Sequence, residues 1–537
     1  MLKKIMLTAA LICLLGIVCP ILGGCGNGGN NNTMWFETPT KKVLHSQKPG
    51  SRTSYTVYMA ANEKEGCQAV LKYQYVTGPV EIEVKKPVNK DGAELGARVF
   101  AEGYVQTTYA EPFFTDKDLI GVTVAYPDGL KPVEENLVIP SNEATPFYIL
   151  FDSEGAAAGD YTTEFTAKVN GEVIDSGKIT VHVWNFSMPE TRTMSAVSDL
   201  SAYCISKTEK TEGEKTTEMY IKYYEFLLDH NICAYSLPYD ILDERVDKYL
   251  DDPRVTQFRV LYADDNTIRA YYAKLSQKEE WMKKAYFYPL DEPADAAAYN
   301  QLRGAGMRLE SLFPGYRMVV PFFIDPEIGD EDGIDYAEEY MNIWCPKLFC
   351  FDEKNIYSET LMKTKTPFGK RMLEMKERGD DLWWYVCWEP GDPYANLYVN
   401  MEGVKNRSIF WQAELYGVNG FLYWSSNYWD KIANPWEDAN TVSWLTPFVY
   451  GDGSLLYSGR QVGVDGPCSS LRLEAVRDGI DDYELIVLAK QAGASDAQIK
   501  KIVNIVAKSI TDYSTKDDDI VKARKELAKI IEKSKKG

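Results

Sequence analysis

Two adjacent carboxylates, Asp291 and Glu292, end the apolar run Tyr286-Phe287-Tyr288-Pro289-Leu290 and stand directly before Pro293. Each anion raises the cost of ionising its neighbour, so one of the pair can keep a proton near neutral pH and act as an acid. So apolar a run belongs to a strand covered on both faces. Pro293 ends its ladder pairing and biases Glu292 towards an extended or turn conformation. The acids are then presented at the carboxyl end of a strand, where barrels and doubly wound sheets bind ligands. Strict alternation points neighbours to opposite sides, so a shared role requires the turn before Pro293 to bring both inward.

Other candidates follow other apolar runs: Asp199, Asp240, Asp264 with Asp265, Asp325, Asp352, Glu389 and Trp424. Capping of the next helix is the expected role of Asp325 and Asp352. Glu292 and Glu389 together could form the acid/base and nucleophile of a conventional retaining glycosidase. Only His45, His182 and His230 are present. None ends a predicted strand, so neither a His-based metal site nor a Ser-His-Asp triad is expected, and no cofactor is called for. Acid–base work falls to carboxylates, helped by tyrosines. Near the same mouth lie Trp344, Trp383, Trp384, Tyr385, Trp388, Trp424, Tyr428 and Trp429. Alternation sends about half of these into packing. Trp388 and Trp424, nearest their strand ends, are expected to form a sugar platform, and Trp344, Glu389 and Asp199 are further substrate-binding candidates.

Eight strand candidates with helical segments between most of them position these residues: 194–201, 233–238, 255–263, 285–290, 317–324, 341–349, 382–388 and 420–425. Parallel pairing needs such crossovers, which predicts a central (β/α)8 TIM-like barrel over 189–450, with an open doubly wound sheet as the alternative. Helices are read at 214–229, 294–312, 353–376 and 406–416. Before the barrel, 34–188 reads as an N-terminal antiparallel β-sandwich, with strands at 54–60, 81–86, 98–108, 147–152, 161–169 and 178–184 and a hairpin turn at Asn170-Gly171. After it, 451–537 is a C-terminal strand and helical region expected to pack on the barrel. One-sided spacing of Ile499, Ile502, Val503 and Val506, and of Ile520, Ala523, Leu527 and Ile530, marks its helices.

A formal net charge of -20 argues against a nucleic-acid partner, which needs a basic face. Lys3 and Lys4 precede an apolar run from Ile5 to Leu22 that ends in Gly23-Gly24-Cys25, the layout of an export signal over 1–25. Residues 26–33 make a flexible leash. Leu22-Gly23-Gly24-Cys25 resembles the bacterial lipobox, which implies lipidation at Cys25 and a membrane partner in the cell envelope. The seven later cysteines, Cys67, Cys204, Cys233, Cys345, Cys350, Cys387 and Cys468, lie mostly in apolar runs and read as buried free thiols. Arg472 and Arg477, set among acids, read as a structural ion-pair network joining the C-terminal helix to the barrel.

The strand-four pair Asp291-Glu292 resembles that of glycoside hydrolase family 123, exo-acting β-N-acetylgalactosaminidases, and their bacterial relatives. The resemblance covers nearly the whole mature chain. Asn62-Glu63-Lys64-Glu65-Gly66-Cys67-Gln68 is similar to a patch of the family's N-terminal sandwich, and Pro127-Asp128-Gly129-Leu130-Lys131-Pro132 and Val183-Trp184-Asn185-Phe186-Ser187-Met188-Pro189 follow in the family's order. The segment Leu471 to Glu484 resembles its C-terminal signature. The resemblance implies substrate-assisted retaining hydrolysis of a glycan with terminal N-acetylhexosamine. In it Glu292 is the acid/base, and Asp291 holds the N–H of the substrate's 2-acetamido group. Tyr385 is a further candidate for binding that group. The Asp at 291, where conventional retaining enzymes usually carry Asn, favours this scheme over the Glu292–Glu389 pair. A surface glycan-binding lipoprotein without activity is the alternative of a different class.

Overall fold

The computed structural model describes residues 32–108, 123–354, 362–363, 367–442 and 449–535. The export segment and Cys25 lie outside the described residues, as does much of 355–366 within the helix expected at 353–376.

Two five-stranded sheets form the N-terminal part. One runs in the order Thr33–Glu37, Lys64–Lys72, Thr145–Asp152, Gly96–Thr108, Thr123–Pro132. The other runs Ser54–Ala61, Glu172–Ser187, Gly159–Val169, Glu81–Val84, with Val88–Asn89 also on Gly159–Val169. Apolar side chains from both meet in one core that includes Phe36, Cys67, Phe147, Ile149, Phe165, Ile179 and Val181. Asn170 and Gly171 both take positive φ, 53° and 81°, which matches the twist of the hairpin they close. The expectation of antiparallel pairing fails at one place: Ser54–Ala61 lies parallel to the Lys178–Val183 stretch. The chain between them passes through the other sheet and returns in the same direction.

Each of the eight later strand candidates overlaps an observed strand: Ser195–Ser198, Cys233–Ala234, Phe258–Val260, Ala285–Phe287, Val319–Phe322, Ile343–Pro346, Asp381–Val386 and Gly420–Tyr423. Six of them form one parallel sheet, and the third and fourth pair parallel to each other. Arg259 N donates to Tyr235 O at 2.8 Å and Phe287 N to Arg317 O at 2.7 Å. Hydrogen bonds therefore run round all eight strands, with helices such as Glu214–Leu228, Ala296–Leu312 and Gly403–Leu415 between them. Aromatics fill the interior: Tyr286 meets Trp383 edge-on at 5.5 Å.

Helices Leu471–Gln491, Asp496–Val506 and Asp517–Ser534 end the chain. Their apolar faces close on Trp184 and Phe186 of the second sheet and on Trp411. In the last helix Ile531, not Ile530, completes the buried stripe. The Leu471–Gln491 helix carries a buried ion network. Arg472 binds Asp128 through Nε and Nη2, and Lys42 Nζ and the Tyr457 hydroxyl, each at 2.8 Å, also bind Asp128. Arg407 joins Glu65 to Asp482, and Arg524 joins Glu63 to Asp482. The expected junction with the ring is present: Asp481 pairs with Arg192, Glu474 with His230, Asp482 with Arg407, and Arg472 donates to Leu397 O and Gly451 O. The same helix is also tied to the N-terminal sheets through Asp128, Glu63 and Glu65, a second junction absent from the sequence reading. A further tie is Trp436, from the loop after the eighth strand. Added Cβ atoms on Gly103 and Gly129 would stand 2.8 Å and 2.5 Å from its ring, so both glycines form its seat. No helix among the described residues is long and apolar enough to cross a membrane.

Candidate active site

The loop between the fourth ring strand and its helix carries the adjacent acids. Asp295 caps that helix, accepting from Ala298 N at 2.9 Å, so Asp291 and Glu292 are free of the commonest duty of an acid in this place. Glu292 sits at φ 41° directly before buried Pro293. A positive φ is rare for a glutamate, and a following proline restricts the backbone further. Strain of this kind persists where the surrounding structure over-determines it, most often at functional sites. The strand itself ends at Phe287, so strand alternation does not govern where the two side chains point.

The Tyr288 hydroxyl donates to Asp291 Oδ1 at 2.6 Å. Asp291 is exposed at the mouth. Enough protein surrounds its carboxyl that burial raises its pKa, with the Glu292 charge adding to the rise and the Tyr288 hydrogen bond and Lys347 opposing it. Glu292 accepts from the Tyr385 hydroxyl at 2.5 Å and lies 3.4 Å from Lys347 Nζ. The same ammonium is 3.7 Å from Glu389 Oε2, and the Lys347 side chain is 1% exposed. It lies 4.1 Å from the Phe323 ring centre, 5.4 Å from Tyr385 and 5.7 Å from Trp388. Burial alone would lower the pKa of Lys347, but neighbouring Cys387, Glu292 and Glu389 outweigh it and the group is raised. Burial also raises Glu389, with Lys347 opposing and Glu292 adding to the rise.

Trp388 and Trp424 are partly buried and share packing against Tyr398 and Met401. Trp424 Nε1 donates to Asp452 at 3.0 Å. Half-buried Asp199 stands nearer the first strand, raised by burial against the pull of Arg259. Trp344 is a correction: it is fully buried, and its Nε1 donates to Asp380 at 2.9 Å. Asp380 directly precedes the seventh strand, so Trp344 points away from the carboxylates. Asp264 caps the helix it precedes, and Asp240 holds Leu242 N and the Tyr271 hydroxyl. Asp265 pairs with Arg308 at 2.7 Å. Asp325 accepts from Ile334 N in the first turn of the helix that Asp332 caps, and Asp352 accepts from Lys354 N and the Tyr394 hydroxyl.

Three site residues escaped the sequence reading: Tyr288, Lys347 and Asp452. Lys347 carried a signal, as a lone cation inside the apolar run 341–349. Asp452 carried less, since Asp between glycines reads as a turn. A hollow of about 730 Å³ at the opposite, N-terminal end of the ring is lined by Thr191, Ser195, Gln257 and Trp281. Its acids Asp251, Glu279 and Glu280 are already paired with Lys278 or Lys283.

A mouth of convergent carboxylates with flanking aromatics suits hydrolysis of a glycoside. Residues 335–489 match the family model "Glycoside hydrolase 123, catalytic domain", a segment that contains Lys347, Tyr385 and Glu389 and begins after the Asp291–Glu292 pair. Among solved structures, the chain is similar to a family 123 glycoside hydrolase from Clostridium perfringens described for glycolipid glycan hydrolysis. The TM-score is 0.67 at 13% identity, covering 94% of this chain and 99% of that one. A family 39 glycoside hydrolase from Bacteroides cellulosilyticus WH2 aligns with a TM-score of 0.32 at 10% identity over 82% of each chain. No curated protein matches the sequence. The chain is a glycoside hydrolase, mixed α/β with several sheets. More narrowly, its likeness is to glycoside hydrolase family 123, through the catalytic-domain match over residues 335–489.

Proposed function

We propose that this enzyme removes terminal β-linked N-acetylhexosamine, N-acetylgalactosamine preferred, by substrate-assisted retaining hydrolysis. The observation that carries the reading is the pair Asp291–Glu292, turned to a common mouth at a positive-φ glutamate. Glu292 gives its proton to the glycosidic oxygen as the C1–O bond breaks. The acetamido oxygen closes on C1, while Asp291, oriented by Tyr288, holds the acetamido N–H. Water then attacks C1, Glu292 takes the water's proton, and the acetamido group is released with net retention. Positioning supplies much of the rate. Tyr385 reaches Glu292 and not Asp291, so in this reading it orients the acid/base, and Trp388 and Trp424 form the sugar platform. The family resemblance favours the galacto epimer.

The parallel hydrogen bonds round eight strands support a (β/α)8 barrel over an open sheet, and the shared core of the first two sheets supports a sandwich over 34–188. We further propose that 1–25 directs export and that Cys25 tethers the enzyme to the cell envelope as a lipoprotein.

The conventional alternative pairs Glu292 with Glu389. Against it stands Lys347, whose ammonium lies between the two carboxylates and leaves Glu389 engaged instead of poised as a nucleophile. The test is release of chromophore from an aryl N-acetyl-β-galactosaminide. Turnover is expected in the wild type, lost in Asp291→Asn and substantial in Glu389→Gln. Loss in Glu389→Gln with Asp291→Asn still active rejects the substrate-assisted reading.

A further inference from the structure

Lys347 is buried to 1% exposure among the rings of Phe323, Phe349, Tyr385 and Trp388, where a cation has little solvent to compensate it. Burying an ammonium is costly unless it is paired, and Lys347 pairs with Glu292 and Glu389. The two thiols beside it, Cys350 and Cys387, are pushed up to about 12 by burial and stay neutral. One cation therefore serves two carboxylates on different loops, one of which is the proton donor of the proposed reaction.

We propose that Lys347 and Glu389 form a charge-setting pair that governs when Glu292 carries its proton, with Glu389 the counter-ion of Lys347 and not a nucleophile. This rests on the reading of Glu292 as acid/base. An unopposed ammonium at 3.4 Å would hold Glu292 as an anion and strip the acid of its proton. Glu389 takes up part of that positive charge, so Glu292 can be protonated in the free enzyme and still be stabilised as a carboxylate after it has given the proton up. The groups facing Glu292 are Asp291 beside it, Tyr385, Cys387 and Glu389 from the seventh strand and its loop, and Lys347 after the sixth. Asp452, after the eighth, acts on Lys347. Of these, Lys347 is the single cation. Both residues are thus positioning residues that act through Glu292.

The test is the pH profile of kcat/KM, whose basic limb reports loss of the acid's proton in the free enzyme. An opposite charge within 4–6 Å shifts a carboxyl by about 1–3 units. Lys347→Met is therefore expected to move the basic limb up by about one pH unit or more, and Glu389→Gln to move it down. Lys347→Arg should leave it near the wild-type position, and the double variant K347M/E389Q should fall between the two single changes. If Lys347→Met does not fold, Glu389→Gln decides alone. Folded variants with unmoved limbs overturn the proposal. So does Glu389→Gln without turnover at any pH but restored by azide, the mark of a lost nucleophile. The same ordering is read without turnover from 13C carboxyl titration of Glu-labelled protein, with Glu292 assigned by difference from E292Q. Equal cleavage of glycosides lacking the 2-acetamido group would remove the substrate-assisted reading and leave this inference testable on whichever glycoside is cleaved.

Discussion

The ring mouth and the interface beneath the N-terminal sheets are both built from carboxylates and cations, yet they spend those charges differently. At the interface Asp128 accepts from Nε and Nη2 of Arg472, from Lys42 and from Tyr457. Burial alone would raise it, but Arg472 and Lys42 outweigh burial and hold it well below the usual carboxylate range. At the mouth the donors to Asp291 are uncharged, the Tyr288 hydroxyl and the backbone N–H of Glu292, and its pKa is raised. A saturated acid is a fastener; an under-supplied one still has a proton to trade.

The largest effect should come from breaking the saturated side. Asp128→Ala leaves Arg472 and Lys42 buried without the carboxylate they share and is expected to cost about 3–5 kcal/mol. It should be seen as a fall in thermal midpoint, with turnover per folded molecule retained. The same acid sets the acid limit of the fold. A carboxyl whose folded pKa lies below its unfolded value of about 3.9 adds stability that is present above that value and lost as pH falls through the folded one. Glu65, brought to about 2 because Arg407 and Arg524 outweigh burial, acts in the same direction. Stability should therefore decline progressively below about pH 4, and Asp128→Asn should flatten that decline in a thermal-midpoint series across pH.

Tyr385→Phe tests the unsaturated side by removing one donor to Glu292. A hydrogen bond to a charged group is worth about 1.5–3 kcal/mol, so kcat/KM should drop roughly 10- to 100-fold while the thermal midpoint hardly moves. The smallest effect is expected at Asp264, which belongs to neither region and caps its helix in the open. Asp264→Ala should lower the thermal midpoint slightly and leave kcat/KM unchanged in the chromogenic assay.

The eight ring strands were legible because each is an apolar run bounded by turn or helix residues, and Asn170-Gly171 announced its hairpin. The strands Lys64–Lys72 and Thr123–Pro132 were not read as strands, because Glu65 and Asp128 look like surface residues in a sequence. Only the fold reveals that buried arginines face them. Their motifs were visible as family patches without a physical reason; the ion network supplies one. In the site, adjacency announced Asp291 and Glu292, while their convergence depended on one backbone angle that no spacing encodes. Trp344 was misplaced because strand alternation has two phases, and the sequence does not say which faces inward. Lys347 was overlooked since its pairing to Glu292 and Glu389 joins loops 40 to 55 residues apart, a juxtaposition that only closure of the ring creates.

The seat that Gly103 and Gly129 offer to Trp436 bears on how such an enzyme can be re-engineered or can diversify. An indole rooted in the catalytic half is received by bare backbone from the other half, so any larger side chain at either glycine evicts it. Front and rear must therefore be inherited as one unit. Grafting the rear half onto a foreign partner would strand a greasy plug with no socket, inviting clumping before any sugar is ever met.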